Sequence, residues 1–445
     1  MTANANASAS APTVRWRRAI RGAFAGLALV AVLLPALGAL GAFVRAAVAP
    51  LPGEWTVPLR LGPVQLQAGV PSLVRLATAP WLAPLLDGRS LSSRAGRVRI
   101  TRMPDGRTLA VHCAPCALRV PGMGNERVVI QDLRVTVRRE GEQLFGEVAA
   151  GALRAQWQGQ LTKRHVHLTL QMPATPIREA YALLGPSIPE MGRAVISGTV
   201  AMQAALSLPD GPFKATPQLV DFQVQGLGTA VLGHAQTRCS AGVPGLTSTS
   251  WLARAVIAAE DQRFYDHPGF DLLELATALD DNQQGDDSAR IRRGASTVTQ
   301  QTAKLPLTGS ERSPVRKLRE VLCAVEMEQT LGKARILQLY LANAPWGPGL
   351  CGAEAAAQHY FGRKAVALTP GQAAWLAAML HNPGMEADRW AQSGHINLAR
   401  AQSVLRGMGR LPRKHAAAEL AALRYPLTTA MPARYPCAKA SSNTE

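Results

Sequence analysis

The sequence predicts an α+β protein in three parts: an N-terminal membrane-spanning helix, a β-rich middle domain and a mostly helical C-terminal domain. Three observations carry this prediction. An uncharged run of 23 residues fills positions 22–44, period-two alternation recurs from about Gly96 to Gly226, and helical periodicity begins after a Gly/Ser/Thr stretch ending at Ser250. The predicted boundaries are 1–21 for a cytoplasmic basic segment, 22–44 for the transmembrane helix, 50–238 for the β-rich domain, 245–415 for the helical domain and 416–445 for a C-terminal tail.

The apolar run near the N-terminus is long enough to cross a bilayer, since at about 1.5 Å per residue it spans roughly 34 Å. Arg15, Arg17, Arg18 and Arg21 precede it, so the positive-inside rule places the N-terminus in the cytoplasm and the remaining chain in the periplasm. A cleaved signal peptide is the alternative, although the run is longer than usual for one. We therefore predict a single-pass protein of the cell inner membrane.

Composition indicates a folded chain with an anionic partner. Of the 445 residues, 47% are hydrophobic and 18% charged, which is typical of globular protein rather than disorder. The formal net charge of +18 favours an anionic surface or substrate, such as nucleic acid, anionic lipid or pyrophosphate.

The β-rich domain offers no catalytic cluster. Cys113 and Cys116 lie among strand-like residues, so a local disulfide or two inert thiols are favoured over a redox motif. His165 and His167 alternate with apolar residues, which favours a solvated strand face over a metal site. A spacer, a partner-binding module and a lipid-contacting sheet all remain compatible with this pattern.

Chemistry-bearing residues begin where the helical pattern does, in the stretch "AVIAAEDQRFYDHPGF". Ser248 or Ser250 can cap a helix whose C-terminal end falls at or near Glu260. The helix dipole there is expected to raise the pKa of the carboxyl group, and a more basic carboxylate suits a general base. Asp261 points elsewhere, and Phe264 and His267 can fold back after the helix ends.

Two further stretches carry polar and basic residues. In "RRGASTVTQQTAKL", Ser296 is the predicted cap of a helix whose N-terminus can bind phosphate, and Ser296, Gln300 and Lys304 form a stripe at helical spacing. An exposed polar helix face is the alternative. In "SERSPVRKLRE", Arg316 and Glu320 are spaced i, i+4, and the surrounding cations are expected to keep Glu320 ionised.

These motifs, followed by "ILQLYLANAPWGPGLCGAEAAAQHYFG" and "LTPGQAAWLAAMLHNP", resemble in order the motifs of glycosyltransferase family 51, the peptidoglycan glycosyltransferases. The resemblance runs from about Thr247 to Pro383 and is greatest to the monofunctional biosynthetic transglycosylases. No SxxK or KTG motif follows, so no transpeptidase domain is expected. Domain 245–415 is accordingly the predicted glycosyltransferase domain.

The resemblance implies a lysozyme-like domain that polymerises lipid II into glycan strands. Glu260 matches the family's general base, and Glu320 matches a second glutamate that acts at the pyrophosphate directly or through a divalent metal, Mg or Mn. No organic cofactor is expected. The resemblance and the motifs together predict these substrate-binding residues: Asp261, Phe264, His267, Gly294, Ser296, Thr299, Gln300, Gln301, Lys304, Arg312, Arg316 and Lys317.

The expected partners are lipid II, the growing glycan chain and the inner membrane, with other envelope proteins reached through the β-rich domain and no nucleic acid. The chain departs from the family pattern at Ala295, Leu305, Gln338 and Ala342. The acidic stretch 280–290 can be a solvated loop or a metal site. Two alternative functions stay open: a lytic glycan-cleaving enzyme on a lysozyme-like scaffold, and a catalytically weak cell-wall binding scaffold.

Overall fold

A computed structural model describes residues 55–61, 64–93, 95–119, 127–185, 188–209, 211, 213–233, 246–274, 296–304, 314–409 and 413–422. The predicted transmembrane helix 22–44, the acidic stretch 280–290, Gly294 and Arg312 lie outside these residues. Within them, no helix combines the length and the apolar character needed to span a membrane. The mixture of sheet and helix confirms the α+β class.

In the described ranges, the strands form one large antiparallel sheet and three small hairpins. The large sheet has nine strands in the order β13-β12-β11-β10-β9-β8-β5-β4-β3, and the pairs β1-β2, β6-β7 and β14-β15 stand apart. The strands are β1 Thr56–Leu61, β2 Val64–Gly69, β3 Ser90–Ser93, β4 Gly96–Arg102, β5 Thr108–Cys113, β6 Cys116–Arg119, β7 Arg127–Ile130, β8 Leu133–Glu140, β9 Gln143–Ala150, β10 Leu153–Leu161, β11 Val166–Pro176, β12 Val195–Leu208, β13 Phe213–Gln225, β14 Pro345–Gly347 and β15 Leu350–Cys351.

The register of the large sheet places apolar and polar side chains on opposite faces. Trp157 of β10 pairs with Leu170 of β11, while the adjacent Gln158 pairs with Thr169. Because side chains alternate along a strand, this pairing continues a polar face and an apolar face across neighbouring strands. The predicted β alternation is confirmed, and we call this sheet, β3–β13 with its connections, the β-rich domain.

Three smaller features of the β-rich domain are a disulfide, a pair of exposed histidines and a bend at Gly198. A disulfide joins Cys113 at the end of β5 to Cys116 at the start of β6, which confirms the local pairing. His165 and His167 are exposed, and His167 Nδ1 lies 2.7 Å from Ser207 Oγ. Gly198, with φ of 94°, occupies an irregularity between β12 and β13; a Cβ there would lie 2.5 Å from the Asp221 carbonyl oxygen, so the bend requires glycine.

The helices are α1 Val70–Ala77, α2 Ala83–Leu86, α3 Ile177–Leu184, α4 Trp251–Glu260, α5 Val298–Ala303, α6 Pro314–Thr330, α7 Gly332–Asn343, α8 Ala353–Phe361, α9 Pro370–Met379, α10 Pro383–Ser393, α11 Leu398–Gly407 and α12 Arg413–Ala422. Helix α9 is the centre of the helical part, because eight of its ten residues are buried. Its many alanines allow α4 and α11 to pack closely against it. Trp346, fully buried, donates its indole N–H to the Leu376 carbonyl of α9 at 3.0 Å.

The β-rich domain and the helices share one hydrophobic core. Tyr181 of α3 and Val224 of β13 belong to the same buried cluster as Leu322 of α6 and Trp346. A continuous core of this kind fixes the two parts relative to each other, because sliding either part would expose apolar surface.

Candidate active site

The first site element is helix α4, which begins and ends as the sequence predicts. Ser250 is the N-cap, and its Oγ accepts a hydrogen bond from the Ala253 N–H at 3.4 Å. Leu252 and Val256 are fully buried, which anchors the helix in the core. Glu260 is the last helical residue, so its carboxylate lies at the negative end of the helix dipole.

Two side chains from distant parts of the chain hold the Glu260 carboxylate. Gln301 Nε2 donates to Oε2 at 3.0 Å, and Arg400 Nη2 lies 3.2 Å from Oε1. The side chain of Glu260 is 10% exposed. Each carboxylate oxygen can accept more than one hydrogen bond. Both oxygens can therefore accept a further hydrogen bond from a ligand.

The orientation of the Gln301 amide is set by Tyr340 of α7. The Tyr340 hydroxyl donates to Gln301 Oε1 at 3.0 Å, and burial followed by the nearby Glu260 charge raises the pKa of Tyr340 well above its usual range. The phenol therefore stays protonated and remains a donor. This leaves the NH₂ group of Gln301 directed at Glu260.

Helix α5, which carries Gln301, begins one residue later than the sequence analysis predicted. Thr297, not Ser296, is the N-cap: its Oγ1 accepts from the Gln300 N–H, and Gln300 Oε1 accepts from the Thr297 N–H, both at 3.1 Å. This reciprocal capping box uses the side chain of Gln300. Gln300 is only 3% exposed, so the alternative of an exposed polar helix face does not hold at this residue, and anion binding by Ser296, Gln300 and Lys304 stays a prediction.

At the N-terminus of this helix, where the sequence analysis predicts a phosphate site, a protein carboxylate already accepts one of the free backbone N–H groups. Asp261 Oδ2 accepts the Val298 N–H at 2.9 Å, and Val298 is fully buried. Asp261 supplies the negative charge that a helix N-terminus favours. It thereby joins the end of α4 to the start of α5.

His267 completes this joint. Its Nε2 lies 3.0 and 3.1 Å from the two Asp261 oxygens, and its Nδ1 accepts the Gly269 N–H at 3.1 Å. The proton is therefore on Nε2, because Nδ1 must offer a lone pair. His267 and Asp261 are 6% and 8% exposed, and both support the joint between α4 and α5. Their direct contact with substrate stays a prediction.

Phe264 and Thr299 lie in the same buried layer. Phe264 is fully buried, and the Lys333 ammonium lies 4.5 Å from its ring centroid. Lys333 Nζ also contacts Glu328 Oε1 at 2.8 Å, and the Thr299 hydroxyl donates to that same oxygen at 2.6 Å. The buried layer thus ties α5 to α6 and α7. The exposed aromatic ring of the motif belongs to Tyr265, which is 56% exposed.

The second predicted glutamate lies on α6 among cations. Glu320 is 3% exposed; one of its oxygens contacts the Arg316 guanidinium, and the other lies 3.2 Å from Lys317 Nζ. Lys317 Nζ also donates to Ser296 Oγ at 2.6 Å and lies 3.4 Å from Gln300 Oε1. Lys304, at the end of α5, is exposed. We call Lys304, Arg316 and Lys317 the cation cluster.

The surroundings of Lys317 destabilise the charged form of its ammonium group. Burial, and then the charges of Arg316 and Lys304, lower the pKa of Lys317 to about 8. An incoming anion would offset these unfavourable effects. The cation cluster is therefore suited to a ligand that carries concentrated negative charge.

A divalent metal at Glu320 fits the described residues poorly. Both carboxylate oxygens face cations, and no group of three or more His, Cys, Asp or Glu residues suited to metal binding occurs in the part of the chain that the structure describes. Divalent Mg and Mn require several oxygen ligands. No chemical step is assigned to a metal.

Helix α5 connects the two glutamates. Gln301 contacts Glu260, whereas the preceding Gln300 contacts Lys317 beside Glu320. Sequence reasoning missed Arg400, Tyr340, Glu328 and Lys333. These residues lie on α6, α7 and α11, and only Tyr340 falls within a quoted motif, where nothing marks it as a partner of Gln301. No signal in a single sequence indicates that Arg400 reaches a residue 140 positions earlier.

Known proteins share this arrangement of motifs. A family profile described as Transglycosylase matches residues 232–409. A biosynthetic peptidoglycan transglycosylase of Bordetella pertussis (strain Tohama I) is 42% identical over 167 residues, which cover 37% of this chain and 68% of the relative. The chain belongs to the transglycosylase family.

Two further relatives with the same name match a similar region. That of Aeromonas hydrophila is 52% identical over 132 residues, covering 30% of this chain and 54% of the relative. That of a Marinomonas species is 49% identical over 134 residues, covering 30% and 58%. The chain thus spans between about half and two thirds of these transglycosylases, and the family resemblance noted in the motifs is confirmed.

Proposed function

We propose that this transglycosylase-family protein polymerises lipid II into peptidoglycan glycan strands. The proposal rests on one observation: the short helix α5 contacts both Glu260, through Gln301, and Lys317 of the cation cluster, through Gln300. A carboxylate with spare acceptor capacity and a group of cations suited to pyrophosphate are the two chemical functions that this glycosyl transfer needs.

In the proposed reaction, Glu260 removes the proton from the 4-hydroxyl of the acceptor sugar. The hydroxyl oxygen attacks the anomeric carbon of the lipid-linked donor, a glycosidic bond forms, and the bond to the pyrophosphate oxygen breaks. Gln301 and Arg400 hold the carboxylate in place during the transfer. Such positioning contributes by holding the base and the hydroxyl within hydrogen-bond reach.

The leaving group carries the negative charge that develops as the bond breaks. Lys304, Arg316 and Lys317 are proposed to bind this pyrophosphate, with Glu320 keeping Arg316 and Lys317 in position. Cations preorganised at the developing charge lower the barrier to reaction more than cations that must move into place. Gly294 and Arg312 keep their predicted donor-binding role as part of this proposal.

The proposal includes the lysozyme-like character of the helical domain and a location at the inner membrane. A cytoplasmic N-terminus, an anchor over 22–44 and a periplasmic catalytic domain would place the cation cluster beside a lipid-linked substrate. The basic balance of the chain suits an anionic lipid carrier. A reporter that is active only in the periplasm, fused after Glu445, is expected to function; activity confined to a cytoplasmic reporter would reverse the topology.

The decisive experiment incubates the purified full chain with fluorescent lipid II and separates the products on a gel before and after digestion with a muramidase. Chains that lengthen with time and disappear on digestion are expected. Release of fragments from isolated sacculi, without chain growth from lipid II, would favour the lytic alternative. Binding of glycan with neither reaction would favour the scaffold alternative.

A further inference from the structure

The β-rich domain contacts the same helix that carries the second half of the site. Lys317 of α6 contacts Ser296 and Gln300 at the start of α5, and Glu320 contacts both Arg316 and Lys317. The residues between them, Leu318 and Arg319, contact the β-rich domain. The helix therefore has a site face and a domain face within a single turn.

A buried ion pair forms the centre of the domain face. The Arg319 guanidinium donates to Glu190 through Nε at 2.8 and 3.0 Å and through Nη2 at 2.8 Å. Glu190 is 4% exposed. Burial is the largest single influence on Glu190 and opposes its ionisation, but the Arg319 hydrogen bonds, a backbone hydrogen bond and the charges of Arg319 and Arg193 together lower the pKa of the carboxyl group. A planar, two-pronged contact of this kind fixes both the distance and the direction of the helix.

Further contacts fix α6 along its length. The Tyr181 hydroxyl of α3 donates to the Leu318 carbonyl at 3.3 Å. Two turns later, the buried Glu326 carboxylate accepts the N–H groups of Leu227 and Thr229, just after β13, at 2.7 and 3.0 Å. The helix is thus held at several points along one side.

We propose that the β-rich domain is a positioning element of the active site, and that Glu190 and Arg319 are positioning residues that set the location of the cation cluster. The inference rests on the proposed function for one point, that the ligand of this cluster is a lipid that carries a pyrophosphate. A shift of α6 would move Arg316, Lys317 and Glu320 together, because all three are on the same rigid helix. Site geometry is sensitive to displacements well below 1 Å.

The surroundings of the ion pair allow a clean test. A cavity of about 330 Å³ borders it, so a neutral side chain of similar size can be accommodated without a clash. The cavity is lined by Pro189, Glu190, Arg193, Leu227, Arg319 and Cys323. The pair between Arg75 and Glu142, 2.8 Å apart, lies elsewhere on the β-rich side of the protein. It is more exposed than the Glu190–Arg319 pair and provides a control for the loss of an Arg–Glu contact that does not reach α6.

The experiment measures the Kd of undecaprenyl pyrophosphate for the full chain, together with KM and kcat for lipid II and the melting temperature. Glu190→Gln is expected to weaken binding about tenfold and to raise KM in parallel, because misplacement of binding groups by fractions of an ångström has effects of this order. The double variant Glu190→Gln/Arg319→Gln is expected to match the single variant, since the pair acts as a unit. Glu142→Gln is expected to match the parent.

Tyr181→Phe removes one contact to α6 without changing charge or shape, and it is expected to weaken binding about threefold. It decides the question if Glu190→Gln does not fold. A fall in melting temperature with unchanged Kd and KM in these variants would overturn the inference and leave the β-rich domain a purely structural attachment. If the parent binds undecaprenyl pyrophosphate but does not polymerise lipid II, the proposed function fails while the Kd values still decide the inference. If the parent does neither, both fail.

Discussion

Adjacent carboxylates at the end of α4 should respond in opposite ways to the loss of their charge. Glu260→Gln removes the proposed base, so activity should fall by about 10² to 10⁴-fold. Its remaining oxygen can keep the Gln301 contact, and the lost contact to the partly exposed Arg400 should cost less stability than the change at Asp261. Asp261→Asn alters a buried joint instead. It should lower stability first, and activity only through displacement of α5.

The size of the Asp261 effect follows from the donors around it. Asp261 accepts from Val298 N–H and from His267 Nε2. An asparagine keeps one oxygen, so its NH₂ group must face one of these donors. His267 cannot relieve the conflict by moving its proton to Nδ1, because Nδ1 accepts the Gly269 N–H. In the best arrangement the asparagine oxygen takes the Oδ2 position and accepts from both groups, but its NH₂ then faces the Nε2–H group of His267 and is a buried donor without a partner.

A buried donor without a partner costs about 1–3 kcal/mol. For a domain of this size, each kcal/mol lowers the melting temperature by about 2–4 °C, so we expect a decrease of roughly 2–12 °C. The assay compares melting temperature and initial polymerisation rate for both variants, with the rate measured well below the transition. If Asp261→Asn melted like the parent but lost activity as Glu260→Gln should, the assignment of base and support would have to be exchanged.

Three other predictions concern the surroundings of the two glutamates. Arg400→Met should reduce kcat about tenfold, because Arg400 positions Glu260. Arg400→Lys should retain part of the rate. Equal rates in Arg400→Met and the parent would show that Arg400 does not act in the site. As pH rises through about 8, Lys317 loses its proton, so KM for lipid II should rise. In Lys317→Arg, KM should stay constant to pH 9. The same rise of KM in both proteins would mean that a group other than Lys317 titrates. Chelation by EDTA should leave the rate unchanged, since both Glu320 oxygens contact cations; loss of activity that Mg or Mn restores in the parent but not in Glu320→Gln would establish the metal at this residue.

The sequence was sufficient for features that depend on neighbouring residues. The strand alternation around Val135 and Leu168 and the end of α4 at or near Glu260 rest on contacts a few positions apart. The same local rules limited the cap of α4 to Ser248 or Ser250, and the structure has Ser250. The pairing of Arg316 with Glu320 follows from helical spacing alone. Periodicity and capping chemistry encode such features directly.

The cap of α5 marks where local reasoning failed. Ser296 and Thr297 are both good N-cap residues, and single-sequence rules do not choose between them. The choice depends on Asp261 and Gly269, which contact Val298 and Thr297 from another segment. With Thr297 as the cap, Gln300 turns inward to complete the capping box, and the next residue, Gln301, contacts the proposed base.

By itself, the sequence determined the α+β class and the family and predicted the two glutamates, because ordered motifs and local periodicity are properties of the chain. Only the tertiary structure decided what surrounds them. Arg400 lies 140 positions from Glu260, and Glu190 lies 129 positions from Arg319. Contacts of this range arise when a shared core brings distant segments together, and burial then makes their polar groups pair, since an unpaired buried charge is costly. No local pattern records which partners that core will bring into contact.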